Sequence, residues 1–324
     1  MKTFYTLSIL LIVSITNLHA QKLYINVAGG YSFSGVLPTK HIFGFRATNS
    51  IEPTSAQIVN FANVVDTGMN GKSYKEINKT YGNGAYAGVS VGYQFKNWMS
   101  AEISFAYFHS NTLKSSSLEN GSSLIGNHAL TKIATNARGI STLIELKFTG
   151  YKENWKVLPY AKIGVSIPLW GIINHQIHID APNSALGNTF VEAKILSKPT
   201  FSMGFVGSLG AEYQVKPWMK LFAEMKIQAM DIRSHKASVQ SYDINKIESD
   251  GTTSNIVNIN TFPDVYSKEI LFVKELDNSS NNADYNTSYD KSKPKEVARI
   301  NAPFDNMGFF IGIGFVPIFK KTNK

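Results

Sequence analysis

Residues that often carry out chemistry are sparse in this chain, and the first candidate is a histidine followed directly by a serine, His109-Ser110. A serine nucleophile beside a histidine base is a common ester-cleaving pair. The two residues end a segment with the pattern of a β-strand, in which adjacent side chains point to opposite faces. We therefore expect no shared site for a base and a nucleophile, and the sequence predicts no catalytic residue.

Metal binding has two candidate regions. His175, His178 and Asp180 are close in sequence, but their spacing matches no zinc motif. The Asn- and Asp-rich stretch from Asp277 to Asp284 lacks the ligand order and the glycine of a calcium loop. The chain has no phosphate-binding glycine loop, and many of its glycines fall within strand-like segments. We predict neither a metal nor a cofactor.

Charged residues are more informative where they alternate with apolar ones along a strand, because they then share one face of a sheet. The members of this set are Glu102, Glu145, Lys147, Lys162, Glu212, Glu224 and Lys226. Charges inside a barrel must be paired or hydrated. The set could line a conducting path, but we favour a structural network of salt bridges that plugs the lumen.

The elements that would position these charges are eight segments with a two-residue period of apolar and polar residues. They span 23–33, 85–95, 99–107, 140–149, 156–167, 201–214, 219–228 and 308–319. Most are at or slightly above the roughly 9–11 residues that a transmembrane strand needs, and longer than ordinary globular strands. A water-soluble barrel with an apolar interior would share the alternation, so the connections must decide.

The connections are sorted by length. Short turns follow the even-numbered segments, at 96–97, 150–154 and 216–217. Long connections follow the odd-numbered ones, and they span about 34–84, 109–139, 170–200 and 231–306. This sorting is typical of outer-membrane barrels, which have short periplasmic turns and long extracellular loops. The long loops are the expected place for binding, and parts of them could continue the barrel outward as β-hairpins. They could equally be solvated and variable.

Aromatic residues cluster at the short turns. They are Trp98, Trp155, Trp218, Tyr93 and Tyr213. Amphipathic rings favour the headgroup level of a membrane, so a band of them at one end of the strands indicates an interfacial girdle. Two of the hairpins also resemble each other, because 93–99 and 213–219 both carry Tyr-Gln-x-Lys-x-Trp-Met.

Bulk composition agrees with export. Residues 1–20 have the layout of a cleaved signal peptide, with Lys2, an apolar stretch and Ala20 at the cleavage point. Removing Lys2 lowers the formal net charge from +9 to +8, and the basic residues are scattered, so nucleic-acid binding is not expected. There is no cysteine, and stability must come from another source such as closure of a sheet.

Two short motifs carry a family resemblance. They are the turn at 92–98, Gly-Tyr-Gln-Phe-Lys-Asn-Trp, and, at the end of the chain, Pro303-Phe304 with Gly308 and Gly312-Ile313-Gly314-Phe315. They resemble the porin-like outer-membrane β-barrel families, including the small eight-stranded OmpA-type transmembrane domain. The resemblance implies a closed, all-β, eight-stranded antiparallel up-and-down barrel in a Gram-negative outer membrane. Family members often end on an aromatic residue; here Phe319 is followed by Lys320 to Lys324.

The expected role is non-enzymatic. The barrel would contact outer-membrane lipid and lipopolysaccharide, and its extracellular loops could bind a protein or another surface ligand. Two alternatives stay open. One is a narrow channel for small solutes, and the other is a membrane-embedded hydrolase of lipids that uses His109.

Overall fold

The computed structural model describes residues 22–33, 62–66, 72–76, 80–119, 129–150, 155–184, 187–299 and 301–317. The predicted signal peptide at 1–20 and the end of the chain from Phe319 to Lys324 lie outside these residues. No helix among the described residues is long and apolar enough to cross a membrane.

The described residues are almost entirely β-structure. The strands are β1 (Lys22–Phe33), β2 (Ala62–Asp66), β3 (Lys72–Glu76), β4 (Gly84–Lys96), β5 (Met99–Ser110), β6 (Leu113–Glu119), β7 (Ala129–Thr149), β8 (Val157–Ser184), β9 (Gly187–Pro199), β10 (Gly204–Lys216), β11 (Met219–Ala229), β12 (Asp231–Ile247), β13 (Thr253–Asn258), β14 (Glu269–Val273), β15 (Lys295–Ala298), β16 (Asn301–Pro303) and β17 (Asn306–Phe315). A 3₁₀ turn (Ile259–Thr261) and the short helix α1 (Val265–Lys268) separate β13 from β14.

Eight of these strands close into a barrel in the order β1, β4, β5, β7, β8, β10, β11 and β17, and every neighbouring pair is antiparallel. The seam pairs β17 with β1, from Ile25 opposite Phe315 to Phe33 opposite Met307. The eight strands are the eight alternating segments, so the prediction of a closed eight-stranded antiparallel barrel is confirmed.

The alternation places apolar side chains on the outside of the barrel. Exposed members of this outer face include Leu23, Ile25, Val27, Val89, Val91, Ile103, Phe105, Ile144, Leu146, Ile163, Leu209, Leu221, Phe309, Ile311 and Ile313. Along β1 the outward run extends from Leu23 to Phe33, which is roughly 33 Å of strand at about 3.3 Å per residue. With the usual tilt of about 40° the apolar band is about 25 Å tall, the height of the band in membrane barrels.

The inner face carries glycines on which aromatic rings from neighbouring strands lie. A Cβ atom added at Gly210 would approach Tyr160 Cζ to 2.5 Å and Ala223 O to 2.6 Å. A Cβ atom added at Gly30 would likewise approach Cδ1 of Phe310 to 2.5 Å. Glycine therefore makes room for large side chains in a lumen bounded by only eight strands.

We expect Gly210→Ala to destabilise the barrel by about 1–3 kcal/mol, because Tyr160 and the backbone of Ala223 must both move. The matched control is Gly207→Ala on the same strand, where the nearest atom to an added Cβ is Lys162 O at 3.8 Å. The free energy of unfolding in urea, measured after refolding into lipid vesicles, compares the two. Equal midpoints for both variants would contradict this packing.

The end of the barrel that carries Asn97-Trp98 and Pro217-Trp218 is called the turn end here, and the opposite end is called the loop end. At the loop end, much of the long connections at 109–139, 170–200 and 231–306 is strand. β7 and β8 continue their pairing up to Leu130 and Asp180, and β9 pairs with both β8 and β12. A β-sheet layer thus extends the wall of the barrel beyond the apolar band.

The Asn-, Ser- and Asp-rich part of the last long connection is held by local hydrogen bonds. Asn281 is its centre, since its Nδ2 donates to the carbonyls of Asp290, Lys293 and Pro294 at 2.9–3.2 Å. Before this part of the connection lies β14 (Glu269–Val273), which pairs in parallel with β15. Side chains of Asp and Asn that bond to the backbone order this segment without a helix or a long hairpin.

Candidate functional site

The lumen contains a buried network of charges centred on Lys162. Its Nζ atom is 2.8 Å from Glu102 Oε2 and 3.1 Å from Glu224 Oε2. Glu102 Oε1 also accepts a hydrogen bond of 2.7 Å from the Tyr24 hydroxyl, and Glu224 Oε2 accepts one of 3.0 Å from Tyr160. Both carboxylates are therefore compensated by a cation and by a phenol.

A second group of ion pairs lies nearer the turn end. Glu212 Oε2 is 2.5 Å from Lys147 Nζ and 2.8 Å from Lys220 Nζ. Lys147 also approaches Glu102 Oε1 at 4.0 Å, which connects this group to Lys162. The ammonium groups of Lys147 and Lys220 lie over the Tyr24 ring, 5.6 and 4.2 Å from its centroid, where they gain a cation–π contribution.

Lys226 and Glu145 complete the set. Lys226 Nζ is 3.1 Å from Glu224 Oε1. Glu145 is 1% exposed and lies opposite Glu102 in the pairing of β5 with β7, and its carboxylate makes no hydrogen bond to any described residue. With Lys220 included, the network contains four lysines and four glutamates, so its charges balance even though Glu145 has no direct ion pair among the described residues.

Toward the loop end from the charges, a cluster of buried, mostly apolar side chains packs together. Its buried members are Tyr81, Phe108, Leu113, Ala137, Ile173, Met230, Ile232 and Phe304, with Tyr86 packed against them. The rings of Phe108 and Phe304 meet edge to face with centroids 4.5 Å apart, and Tyr86 stacks on Phe108 at 5.7 Å. We call this set the aromatic plug.

A small cavity lies in the lumen between part of the charge network and the ring of Phe310. Its volume is about 50 Å³, and its lining includes Asn26, Ser90, Lys162, Glu224 and Phe310. A water needs about 10–15 Å³ of such space, whereas sites for organic ligands usually measure about 300–1,000 Å³. The cavity can hold a few waters beside the charges, and it is too small for an organic solute.

His109 and Ser110 point to opposite faces of β5, as the strand pattern predicts. His109 is exposed, while the Ser110 hydroxyl is buried and accepts a hydrogen bond of 2.7 Å from Ala137 N. The serine therefore links β5 to β7, and His109, on the other face of the strand, is not placed to act as its base. This geometry offers no means of activating a nucleophile.

The three candidate metal ligands are also divided between two faces. His178 and Asp180 lie together on the outside, with Nε2 2.8 Å from Oδ1, and Asp180 also pairs with Lys132 at 2.7 Å. His175 faces the interior, where its Nδ1 atom is 3.2 Å from Thr135 Oγ1. Among the described residues, no group of three or more potential ligands is placed to hold a metal ion.

Burial lowers the pKa of His175 from its usual 6.5 to about 4, so the imidazole is neutral in the folded sheet layer. The unfolded chain then binds more protons between pH 6.5 and 4, and stability falls as the pH is lowered through that window. The full effect is roughly 3 kcal/mol. We expect the wild-type melting temperature to fall more steeply between pH 7 and pH 4 than that of His175→Gln, which has no imidazole to protonate. Parallel pH profiles would exclude His175 as the source.

The aromatic residues of the short turns lie at one end of the barrel. Trp98, Trp155, Trp218 and Tyr213 are exposed, and Tyr93 is half-buried. Trp98 and Trp218 occupy the turns themselves and stack on Phe148 and Phe315, with ring centroids 6.3 and 6.4 Å apart.

The two similar hairpins also share a detailed construction. Each has an irregularity in its pairing just before the turn, between Gln94 and Lys96 and between Gln214 and Lys216. In each, the lysine ammonium lies 5.5 Å from the centroid of the tryptophan ring two residues later. The repeated sequence Tyr-Gln-x-Lys-x-Trp therefore encodes one hairpin geometry twice.

Several residues of the lumen were not among the predicted site residues. Tyr24, Tyr160 and Lys220 share the inward parity of the charged set, so alternation alone could have identified them. The aromatic plug carried no such signal, because Tyr81 and Phe304 lie outside the eight alternating segments.

Comparison with known proteins gives little beyond this description. No family model matches the sequence, and no curated protein matches it. Among solved structures, the crystal structure of the outer membrane protein OprG from Pseudomonas aeruginosa matches with a TM-score of 0.37 and 12% identity, over 92% of this chain and 97% of that chain. A similarity at this level adds nothing to the fold established from the strand pairings.

Proposed function

We propose that this protein is a non-enzymatic outer-membrane β-barrel that acts through the sheet layer and loops at its loop end. The observation that carries the proposal is the inverted distribution of its residues. Charged side chains fill the lumen, and a continuous apolar band covers the outside.

The magnitude of the exposed apolar surface favours a membrane. The fifteen outward side chains named above are each roughly half exposed, and covering one with hydrocarbon is worth about 1–2 kcal/mol. Their sum is on the order of 20 kcal/mol, which exceeds the typical stability of about 5–15 kcal/mol for a folded domain. A barrel with this surface would aggregate in water, whereas a bilayer covers it.

The orientation follows from the two ends. The turn end, with its exposed tryptophans, faces the periplasm in this proposal, and the loop end faces outward. Outer-membrane lipid and lipopolysaccharide would then surround the band. A protein or surface ligand would meet the layer built by β8, β9 and β12, which is a more rigid platform than an unstructured loop.

A narrow channel is the second candidate function, and the cavity beside Lys162 is the observation in its favour. The aromatic plug and the ion pairs above and below that cavity favour a closed lumen. We expect no single-channel steps in planar bilayers. Reproducible steps that disappear in Glu145→Gln, in protein whose heat-dependent gel migration shows that it is folded, would instead establish transport.

The location is tested by fractionation of cells that express the full chain. We expect the protein in the outer-membrane fraction, with gel migration that changes on heating. Protease added to intact cells should cut only within the four long connections. Recovery as a soluble periplasmic protein would overturn the proposal.

A further inference from the structure

Two elements meet where β9 leads into β10 at the loop end. The connecting residues, Thr200–Met203, are fastened to the start of β12 by two hydrogen bonds. Thr200 N donates to Arg233 O at 2.8 Å, and Arg233 N donates to Ser202 Oγ at 3.2 Å. The exposed Arg233 is therefore held beside this connection.

The connection carries two strongly exposed apolar side chains. Phe201 is 69% exposed and Met203 is 61% exposed. They precede Phe205, the first outward residue of β10, so they continue the apolar band of the barrel to its rim. Side chains at this height would lie where lipid acyl chains meet their headgroups.

The same place has an excess of positive charge. Lys198 is exposed and lies directly opposite Lys236 in the pairing of β9 with β12. Like charges in opposed positions of a sheet repel each other. Glu269 compensates Lys236 at 2.7 Å, whereas Lys198 and Arg233 form no ion pair with any residue in the part of the chain that the structure describes.

We propose that Lys198 and Arg233 bind the phosphate of an anionic lipid in the outer leaflet, with its acyl chain packed on Phe201 and Met203. The site rests on the proposed function as an outer-membrane barrel. A guanidinium and an ammonium group together suit a phosphate, since the guanidinium donates paired hydrogen bonds and the ammonium supplies a point charge. The adjacent apolar side chains select a lipid phosphate over a soluble one, because a free anion would leave them without a partner.

The test titrates bis-phosphorylated lipid A into the full chain in neutral detergent micelles and measures binding by native mass spectrometry. The Lys198→Ala/Arg233→Ala variant is expected to raise the Kd by roughly 10- to 30-fold, since each basic residue near an anionic lipid surface contributes about one factor of five. Phe201→Ser should also weaken the binding of lipid A. Arg233→Lys, which keeps the charge, should lose less than the double variant.

The matched control is Lys274→Ala/Lys291→Ala, which removes two other exposed cations from the segment after β14 and should leave the Kd unchanged. Heat-dependent gel migration checks that each variant folds. Two results would overturn the lipid site: an unchanged Kd in the Lys198→Ala/Arg233→Ala variant, or full competition by millimolar inorganic phosphate, which indicates a site for free anions. Either result leaves the proposed function standing if the protein still fractionates with the outer membrane.

Discussion

Lys162→Met is expected to destabilise the barrel by about 3–5 kcal/mol, because it leaves Glu102 and Glu224 buried without their shared cation. The methionine keeps most of the volume of the lysine stem, so the effect measures charge more than packing. The measurement is the free energy of unfolding in urea, after refolding into vesicles of neutral lipid. Adding Glu102→Gln to the variant should recover part of the loss, since one uncompensated carboxylate is removed.

The control for this result is a second lysine–carboxylate pair with the same geometry and a different environment. Lys132 Nζ is 2.7 Å from Asp180 Oδ2, but the two side chains are 53% and 39% exposed. We expect Lys132→Met to cost less than about 1 kcal/mol, because water compensates both groups. If the two lysine variants lose the same stability, burial is not what makes the lumen network strong.

Phe304→Ala is expected to destabilise the protein by about 3–5 kcal/mol and to loosen the loop end in particular. Phe304 is 2% exposed, and its ring packs edge to face on Phe108. Its backbone N also donates to Met230 O at 2.9 Å, so the ring lies where the two ends of the long 231–306 connection meet. Urea unfolding gives the total loss, and the rate of cleavage by added protease reports on the sheet layer.

Tyr285→Ala is the matched control for the plug, since Tyr285 is an aromatic residue of the loop end that is 52% exposed. Its loss should change stability by less than about 0.5 kcal/mol. A Phe304→Ala protein that unfolds at the wild-type urea concentration would show that the cluster fills space without supporting the fold.

The sequence predicts the barrel because every second residue of a membrane strand faces lipid and must be uncharged. The outward positions of β17, from Met307 to Phe315, are all uncharged, while glycines recur on its inner side. Closure could also be inferred, since strands with these faces have no stable open edge in lipid. Parity likewise fixes which charged residues face the lumen.

The partners within the lumen could not be inferred in this way. Lys162 lies directly opposite Lys147 on the neighbouring strand, yet its carboxylates come from β5 and β11, each two strands away around the barrel. Such pairing depends on the diameter and stagger of the closed barrel, which no local pattern records. For the same reason, the sequence does not indicate that Glu145 has no ion pair with a lysine among the described residues.

The sheet layer is an intermediate case. Along β9 the buried residues Thr189, Val191 and Ala193 alternate with more exposed ones, so a strand signal was present there. The pairing itself could not be predicted, because a short alternating run does not reveal its partner, and β12, which pairs with β9, starts more than thirty residues later.

The seam between β1 and β17 has a consequence for how the chain can be rewired. Because Ile25 is paired with Phe315, the beginning of the first barrel strand and the end of the last are neighbours at the turn end. A short linker could join them, and the polypeptide could be opened within a long connection instead. Such a circular permutant would retain all eight pairings of the barrel, with its new ends at the loop end.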